Sequence, residues 1–334
     1  MKKISNKDLA KRLNISPAAL SLVINNKAGV SDVTRSRVKK TLSEMGYEHL
    51  IKKEIVETKN ICFAIFKNHG KIINHHSFFL LMMETIEKQA AKYGYNIFLI
   101  TIDANENLEE QFKRINSTDA KGVIIFGTEI ENKHVPYFEH LKLPFVVLDN
   151  DLSQYEVVTV SINNAMGTFQ SIEHLINMNH TDIGYLQSFY LINSFVERKN
   201  GYEDAMKYFG IELTKEKIIS LPYTEEGSYQ AMKKWLTTDI YIPKAFVTDD
   251  DTIAIGAMKA LQEFGYRIPE DIAIVGYNNR PNSEITTPSL TTVDVNRQLL
   301  GTSAVDTLID LISYNKQPNF KIRINTRLIK RDSV

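Results

Sequence analysis

Few residues of this 334-residue chain have types and spacings that suggest chemistry. The most concentrated acidic group is the run Thr248–Asp251, whose carboxylates are the ligands that a divalent cation prefers. Because the run stands directly before a helical stretch, helix capping explains it better than a metal site. The adjacent pair His75–His76 has no Cys, Asp or Glu at ligand spacing, which favours a loop over a metal site.

Sequence signatures of catalysis are also missing. No Gly-rich phosphate-binding loop follows a strand, and no G-x-S-x-G turn presents a nucleophilic serine. The single cysteine, Cys62, lies inside an apolar run and is interpreted as a buried core thiol. We therefore expect no enzyme, no cofactor and no metal, so that the function must lie in binding.

The N-terminal segment 7–26 is typical of a nucleic-acid reader. Ser5 is placed to cap a first short helix, and Asn14 to end it in a left-handed conformation. Ser16 and Pro17 then begin a second helix. Small, lightly charged side chains form its outward face, namely Pro17, Ala18, Ser21, Leu22 and Asn25. This is the helix-turn-helix arrangement that enters the DNA major groove, although any helical hairpin of a soluble domain has a similar pattern.

The charge distribution separates these two interpretations. Residues 1–60 contain 13 Lys or Arg and 6 Asp or Glu, a net charge of +7, and the remainder carries −7 because the whole chain is neutral. A basic N-terminal segment followed by an acidic remainder is typical of a nucleic-acid-binding module attached to a domain that does not bind nucleic acid. The asymmetry therefore favours DNA as the partner.

A third helix and a linker follow this pair. Ser31 is placed to cap the helix and Gly46 to end it, which completes a three-helix headpiece. Residues 50–59 are charged and β-branched and are too few for a stable isolated helix. We interpret them as a linker that becomes ordered only in the DNA complex.

The expected compartment is the cytoplasm. The positive N-terminus leads into a capped amphipathic helix and has no pattern of a secretory signal. No apolar run approaches the ~20 residues that cross a membrane. A single cysteine agrees with a protein without disulfides.

From residue 60 onward, short apolar runs alternate with amphipathic helical stretches. Predicted strands include 61–66, 122–126 and 272–277, and a final strand covers 320–329. Continuous apolar strands separated by helices indicate parallel sheets covered on both faces. Because more than 260 residues exceed what one such sheet normally holds, we expect an α/β core of two Rossmann-like lobes. Ligands would then bind in a cleft beyond the carboxyl ends of the strands.

Several longer motifs occur in a fixed order along the whole chain. They include the headpiece pattern from Ile4 to Asn25, VSDVTRSRV (30–38), PFVVLD (144–149), EHLINMNHTDIGYL (173–186), RKNGYEDAM (198–206), DDTIAIGAMKAL (250–261), IPEDIAIVGY (268–277) and PSLTTV (288–293). In type and order these motifs resemble the lactose-repressor (LacI/GalR) family of bacterial transcription regulators.

The resemblance implies a helix-turn-helix headpiece over 1–48, a hinge over 49–59 and a periplasmic-binding-protein-like core over 60–334. The two lobes, joined by three crossovers, would cover about 60–161 with 292–319, and about 162–291 with 320–334. Such proteins are usually dimeric. Because no Leu heptads follow the last predicted strand, a dimer is expected and not a tetramer.

For DNA binding, the resemblance implies base contacts from the second helix and phosphate contacts around it. The residues implied are Ser5, Lys7, Ser16, Pro17, Ala18, Ser21, Leu22, Asn25, Ser31 and Thr34, with Val56 as a wedge in the hinge. Many relatives have Arg where Leu22 stands, and Leu can contact only apolar edges such as a thymine methyl. Relatives have Leu where Val56 stands, so we expect a weaker or shifted kink at the operator centre.

For the cleft, the resemblance points to Arg198 as an anchor for ligand hydroxyls or a carboxylate. Its implied partners are two carboxylates, two aromatic rings and an amide, namely Asp149, Asp250, Phe79, Tyr223 and Asn278. Relatives often have Asp where Asn278 stands, so the ligand or its hydroxyl pattern is expected to differ. Together these groups suit a sugar or polyol. For Tyr223 or Asn278 taken singly, a solvated or salt-bridged strand-end group is the simpler interpretation.

The sequence thus predicts a dimeric repressor that binds pseudo-palindromic operator DNA and responds to a sugar held between its lobes. A second hypothesis is a catabolite-control regulator whose effector is a phosphorylated carrier protein. A third, an enzyme or a free solute-binding protein on the same fold, conflicts with the basic headpiece and the missing export signal.

Overall fold

The computed structural model describes residues 6–25, 27–51, 59–73, 77–238, 241–314 and 319–334, with the side chains of residues 77–79 outside the description. The chain divides into two compact units, Met1–Thr58 and Lys59–Val334. The first unit is called the headpiece and the second the core.

The headpiece contains three helices, α1 (Asn6–Arg12), α2 (Pro17–Ile24) and α3 (Asp32–Glu44). The Ser16 hydroxyl accepts a 3.0 Å hydrogen bond from the Ala19 N–H, and Pro17 is the first helical residue. Asn14 has a φ of 52° and Gly46 one of 77°, so both predicted left-handed helix ends are confirmed. The buried side chains that join the helices are Leu9, Ala10, Leu13, Leu20, Val23, Val38 and Leu42.

The start of the predicted hinge belongs to the headpiece. Glu48–Leu50 forms a 3-10 helix, in which the N–H groups of Leu50 and Ile51 each donate a 3.0 Å hydrogen bond to a preceding carbonyl. Tyr47, Leu50 and Ile51 pack against the headpiece core because their apolar side chains extend it. The predicted boundary after residue 48 is therefore wrong by three residues, and residues 52–58 of the hinge lie outside the described residues.

The first lobe of the core contains a parallel sheet of six strands. These are β1 (Lys59–Lys67), β2 (Tyr95–Asp103), β3 (Ala120–Phe126), β4 (Phe145–Leu148), β5 (Thr159–Ile162) and β11 (Lys321–Ile324). Their order is β11-β5-β4-β3-β1-β2. Helices α4 (Ser77–Lys92) and α11 (Arg297–Tyr314) pack on one face, and α5 (Leu108–Asn116) with a 3-10 helix, Asn132–His140, covers the other.

The second lobe repeats this design. Its strands are β6 (Ile183–Ser188), β7 (Ile218–Leu221), β8 (Ala245–Thr248), β9 (Ala273–Tyr277), β10 (Thr291–Asp294) and β12 (Arg327–Ile329), in the order β12-β10-β9-β8-β6-β7. Strand β12 pairs antiparallel with β10, and the other pairs are parallel. Helices α6 (Asn164–Asn177) and α7 (Asn193–Tyr208) cover one face, and α8 (Glu225–Leu236) and α9 (Asp251–Glu263) the other. The short α10 (Pro281–Ile285) follows β9.

The chain passes between the lobes three times, from β5 to α6, from β10 to α11 and from β11 to β12. The predicted strand 320–329 is therefore two strands in different sheets, and β10 belongs to the second lobe. The predicted lobe boundaries at 291/292 and 319/320 are wrong by a few residues for this reason. Two crossovers contact each other, since the Asn163 N–H donates to the Ile324 carbonyl at 2.9 Å.

Two further elements of the first lobe differ from the regular strands and α-helices expected there. Strand β5, which was not predicted, has only four residues and includes Thr159 and Ser161, so it lacks a continuous apolar run. The helix Asn132–His140 is of the 3-10 type, and its interior contains Pro136, a residue with no N–H for an α-helical hydrogen bond. Among the described residues, no helix combines the length and the apolar character needed to traverse a bilayer.

Candidate functional site

The predicted cleft residues follow strands whose carboxyl ends meet between the lobes. Asp149 comes directly after β4 of the first lobe and has a φ of 67°, and Asn278 comes directly after β9 of the second lobe with a φ of 94°. Asp250 caps α9, where its carboxylate accepts a 2.8 Å hydrogen bond from the Thr252 N–H. The fold therefore brings together polar groups that lie far apart in the sequence.

Arg198 is the central cation of this cleft. It lies on α7 and is only 3% exposed. Its Nε donates to Asn164 Oδ1 at 2.9 Å, Nη1 donates to the Asp249 carbonyl, and Nη2 donates to Asn278 Oδ1 at 3.3 Å. The guanidinium carbon also lies 3.8 Å from the centroid of the Tyr277 ring. These contacts hold a planar fork of donors in one orientation and use three of its five N–H groups.

Asp149 faces Arg198 from the first lobe. Its Oδ2 accepts a 2.5 Å hydrogen bond from the Thr128 hydroxyl. Burial raises the pKa of Asp149 to about 6, although the Thr128 hydrogen bond and the charge of Arg198 act in the opposite direction. No hydrogen bond from a described residue reaches its Oδ1. The carboxyl group thus has an acceptor position left for a ligand.

Behind these groups, Asp250 and Arg280 form a buried ion pair. Arg280 Nε lies 2.8 Å from Asp250 Oδ1, and the Tyr223 hydroxyl donates to Asp250 Oδ2 at 3.0 Å. The Asn278 amide also donates to Asp250 Oδ2, which links the pair to Arg198. Asp250 was predicted to accept from ligand hydroxyls, but its oxygens already bind protein donors. Arg280 was not predicted as a residue of this site. Its position two residues after Asn278 is the feature of the sequence that could have indicated it.

The acidic run is a set of buried anchors. Asp249 accepts from the Tyr185 hydroxyl at 2.5 Å and from the Ser188 N–H at 2.6 Å, and burial raises its pKa to about 7. Asp251 accepts from the hydroxyls of Ser283 and Thr292, each at 2.5 Å. The capping interpretation is confirmed for Asp250, which is the N-cap of α9. Asp249 and Asp251 instead bind donors from other elements of the second lobe.

A small cavity of about 10 Å³ lies among side chains that include Asp149 and Arg198. Its lining combines hydroxyl, amide, charged and apolar groups from both lobes, namely Thr128, Asp149, Ile192, Ser194, Phe195, Arg198, Tyr223 and Asn278. Four of the six predicted effector residues line it, and Asp250 lies directly behind them. The side chain of Phe79 lies outside the described residues. Ligand pockets commonly enclose ~300–1,000 Å³. The cavity has room for about one water molecule, so the cleft is closed in this arrangement of the lobes.

Tyr223, which the resemblance places among the aromatic residues of the cleft, is only 1% exposed and lines the cavity. Its hydroxyl accepts from Arg280 Nη2 at 2.7 Å, so it belongs to the ion-pair network as the simpler interpretation of this residue held. Ser194 and Phe195 were not predicted although both line the cavity. They lie on the first turn of α7, one helical turn before Arg198, and that spacing was the available signal.

On the headpiece, the predicted DNA-contacting side chains of α2 form one exposed face. Pro17, Ala18 and Ser21 are exposed, whereas Leu22 and Asn25 are half-buried. The Asn25 amide donates to the Ser21 carbonyl at 2.8 Å, which orients it along the helix. Leu22 lies against the loop at Gly29, where an added Cβ would come within 3.1 Å of its Cδ1.

The predicted phosphate contacts surround this face. Ser16, Ser31 and Lys7 are exposed, and the Ser31 hydroxyl donates to Thr34 Oγ1 at 2.9 Å while also accepting from the Thr34 N–H. Ser16 and Ser31 thus cap α2 and α3 at the two helix starts, where backbone N–H groups favour anions. Ser5 and Val56 lie outside the described residues.

A helix-turn-helix headpiece joined to a two-lobed α/β core with a polar cleft defines a class of protein, the ligand-responsive DNA-binding regulators. Residues 6–49 match the model for bacterial regulatory proteins of the lacI family. Residues 172–334 match the model for periplasmic binding protein-like domains. The chain therefore combines a helix-turn-helix domain of the lacI family with a periplasmic-binding-protein-like domain.

Individual relatives span the whole chain. The HTH-type transcriptional repressor PurR of Escherichia fergusonii is 29% identical over 339 residues, which cover 98% of this chain and 96% of that repressor. A solved complex of the transcriptional regulator CelR with cellobiose has a TM-score of 0.72 at 22% identity and covers 99% of this chain and 100% of CelR. The Lac repressor dimer bound to operator and the anti-inducer ONPF has a TM-score of 0.76 at 21% identity, with 99% of each chain covered. The two structures establish likeness of fold.

Proposed function

We propose that this protein is a sequence-specific transcriptional repressor whose affinity for operator DNA is controlled by a sugar or sugar derivative bound between its lobes. The observation that carries the proposal is the cavity in which Asp149 of the first lobe faces Arg198 of the second. A ligand that contacts both residues binds one arrangement of the lobes better than another. Differential affinity of this kind is the only way in which a ligand can shift a conformational equilibrium.

The headpiece supplies the DNA contacts of the proposal. The exposed face of α2 enters the major groove, where Pro17, Ala18, Ser21 and Leu22 contact base edges. Asn25, Ser31 and the helix starts around Ser16 bind phosphates together with Lys7 and Thr34. Two headpieces of a dimer bind the two halves of a pseudo-palindromic site, and Val56 of each hinge enters the minor groove at its centre.

The cavity chemistry supports a polyhydroxylated effector. A sugar hydroxyl both donates and accepts, and the site offers an acceptor on Asp149, donors on Arg198 and a hydroxyl on Ser194. No hydrogen bond between the Ser194 hydroxyl and another described residue competes with such a ligand. Phe195 supplies an apolar face beside these groups, as mixed polar and apolar sites require. The fold neighbour CelR was solved with cellobiose, which agrees with this ligand class.

The crossovers provide the route from effector to DNA. Arg198 is bonded to Asn164, which begins α6 directly after the β5–α6 crossover. A ligand that holds Asp149 and Arg198 at a different separation therefore changes the angle between the lobes at these three chain passages. In a dimer this angle sets the spacing of the hinges, and the effector and the operator then affect each other's affinity by the same factor. The proposal involves no catalytic step.

The test combines a binding-site selection with a ligand screen. Full-length protein is used to select duplexes from a random library, and affinity for the selected site is measured by fluorescence anisotropy over a salt series. We expect a palindromic site and an affinity that falls steeply with salt, because phosphate contacts release counterions. A thermal-shift screen of monosaccharides, disaccharides and sugar acids then identifies the effector. A protein with no sequence-selective, salt-sensitive binding to duplex DNA would refute the proposal, and a protein that binds DNA but no sugar would refute only the effector class.

A further inference from the structure

The segment Asn68–Ile73, which leaves β1 of the first lobe, is fixed by a single buried carboxylate. Glu129 Oε2 accepts from the N–H groups of Asn68, His69 and Gly70 at 3.0, 3.0 and 2.8 Å. Its Oε1 accepts from those of Ile72 and Ile73 at 3.1 and 3.2 Å. Five backbone donors thus converge on one side chain that is 2% exposed.

The ionised form of Glu129 is the one that this arrangement stabilises. Burial alone would raise its pKa, but the hydrogen bonds from the N–H groups of Gly70, Ile72 and Ile73 and the nearby His69 hold the pKa below its usual value. Hydrogen bonds to a charged acceptor are stronger than those between neutral groups. The segment is therefore held in one conformation by the first lobe itself.

The two isoleucines of the segment pack in opposite directions. Ile73 packs against the hydrophobic cluster of the first lobe, together with residues of α4 and α11. Ile72 is completely buried in the cluster of the second lobe, with Leu186, Ile192, Phe195 and Tyr223. Consecutive side chains of one segment are thus shared between the two lobes.

Ile72 also occupies the neighbourhood of the effector cavity. Three members of its cluster, Ile192, Phe195 and Tyr223, line the cavity beside Arg198. Three residues before Ile72 along the chain, the ring of His69 lies 5.6 Å from the ring of Tyr190 in the second lobe. At the same edge of the cleft, the Asn193 amide donates to Asn150 Oδ1 across the lobes at 3.0 Å.

We propose that the segment Asn68–Ile73 acts as a latch that holds the two lobes together. Glu129, called the clamp, fixes the backbone of this segment, and Ile72 is the side chain that joins it to the second lobe. The clamp holds the backbone so that Ile72 reaches into the second lobe, and burial of this side chain keeps the cleft closed without a ligand. Transfer of a whole isoleucine side chain from the buried cluster to water is unfavourable, so its burial favours the closed arrangement of the lobes. The effector enters when Ile72 leaves its cluster, so the latch sets the threshold for the response. This last point rests on the proposed function, whereas the lobe contact itself does not.

The test measures lobe separation in the full chain without DNA or sugar. Spin labels are placed on Lys133→Cys of the first lobe and Glu226→Cys of the second, both of which are exposed positions. Cys62 stays unlabelled because it is buried and burial raises its pKa to about 12. Labelled protein is diluted with unlabelled chain so that pairs between subunits are not observed.

We expect Ile72→Ala to broaden the distribution of distances between the two labels and to shift it to longer distances. Ile73→Ala should give the same distribution as the parent protein. Equal effects of the two variants, or no effect of Ile72→Ala, would overturn the latch. Glu129→Gln provides a second test if Ile72→Ala does not fold. This variant replaces one acceptor oxygen by a donor group, and we expect at least tenfold faster amide exchange over Asn68–Ile73 together with wider lobe distances. Glu139→Gln, an exposed change in the adjacent 3-10 helix, is its control, and unchanged exchange in Glu129→Gln would refute the clamp.

Because these measurements use neither operator nor effector, their outcome is independent of the proposed function. A protein that proves not to bind DNA can still show the latch. A confirmed repressor can equally lack it, if the lobe distances of Ile72→Ala and the parent coincide.

Discussion

The amide of Asn164 bridges two neighbouring residues of α7, since its Oδ1 accepts from Arg198 Nε at 2.9 Å and its Nδ2 donates to Glu197 Oε2 at 2.7 Å. Asn164 itself begins α6 immediately after the chain crosses from the first lobe to the second. Its carbonyl also accepts from the Tyr277 hydroxyl at 3.1 Å. The cation of the cleft is thereby tied to a crossover by one side chain that is 2% exposed.

Asn164→Ala should weaken the coupling between effector and operator. The change leaves the Arg198 Nε and the Glu197 carboxylate without their amide partner, at a cost of roughly 1–3 kcal/mol in unfolding free energy. We expect operator affinity close to that of the parent and a loss of most of the effector response, measured by anisotropy with and without effector. Ser171→Ala is the control, because it removes a buried hydrogen bond within α6 but no contact with Arg198 or with a crossover. A full effector response in Asn164→Ala would show that the amide only supports the fold.

Arg198→Ala should abolish effector binding and leave DNA binding intact. The lost charged hydrogen bonds correspond to roughly 1.5–3 kcal/mol, or at least a tenfold loss of effector affinity. The check is the ligand-induced thermal shift, compared with that of Lys199→Ala, which changes the adjacent α7 cation. If the shift survives in Arg198→Ala, Arg198 does not contact the ligand.

Leu22→Arg should change base preference. A guanidinium at this half-buried position can bind a guanine edge bidentately, which a leucine cannot, and such a contact is worth ~1–3 kcal/mol of discrimination. Binding-site selection with the variant should therefore enrich guanine at one position of each half-site. Val33→Arg adds the same charge to an 81% exposed residue of α3 and should raise affinity without changing the preferred sequence. Identical preferred sites for Leu22→Arg and the parent would mean that α2 docks differently.

Asp149→Asn should stabilise the unliganded protein at neutral pH. Because burial raises the pKa of Asp149 to about 6 from 3.8, the folded state binds this proton more tightly than the unfolded chain. Its contribution to stability is therefore lost as the pH rises from about 4 to 6. At pH 7.5 we expect the variant to be more stable by roughly 2–3 kcal/mol, with no gain at pH 4, in urea unfolding.

Asp271→Asn is the control for this pH dependence, because the pKa of Asp271 is shifted in the opposite direction. Hydrogen bonds from Arg267 hold the pKa of Asp271 well below its usual value, so its contribution is present at neutral pH and lost in acid. The control should gain nothing at pH 7.5. A stability difference between Asp149→Asn and the parent that does not vary with pH would contradict the raised pKa of Asp149.

Local signals in the sequence were sufficient for the headpiece. Ser16, Pro17, Asn14 and Gly46 cap or end helices through contacts with residues only a few positions away, so their roles follow from residue type and spacing. Most core strands were also predictable, because parallel strands covered on both faces are continuous apolar runs. Strand β5 was missed because a strand of four residues that includes Thr159 and Ser161 is defined by its neighbours β4 and β11.

For the cleft, too, some features follow from the sequence and others only from the tertiary structure. The resemblance of the chain motifs to a known family implied that Asp149, Arg198 and Asn278 belong to one site, and the sequence determined which chemical groups they carry. Only the tertiary structure decided which groups remain open to a ligand, because Asp250 is neutralised by Arg280 and Tyr223 is buried between them. The opposite burial of Ile72 and Ile73 has the same origin. Two adjacent isoleucines are equivalent in sequence, and the hydrophobic effect separates them only when two lobes from distant parts of the chain come to lie on either side.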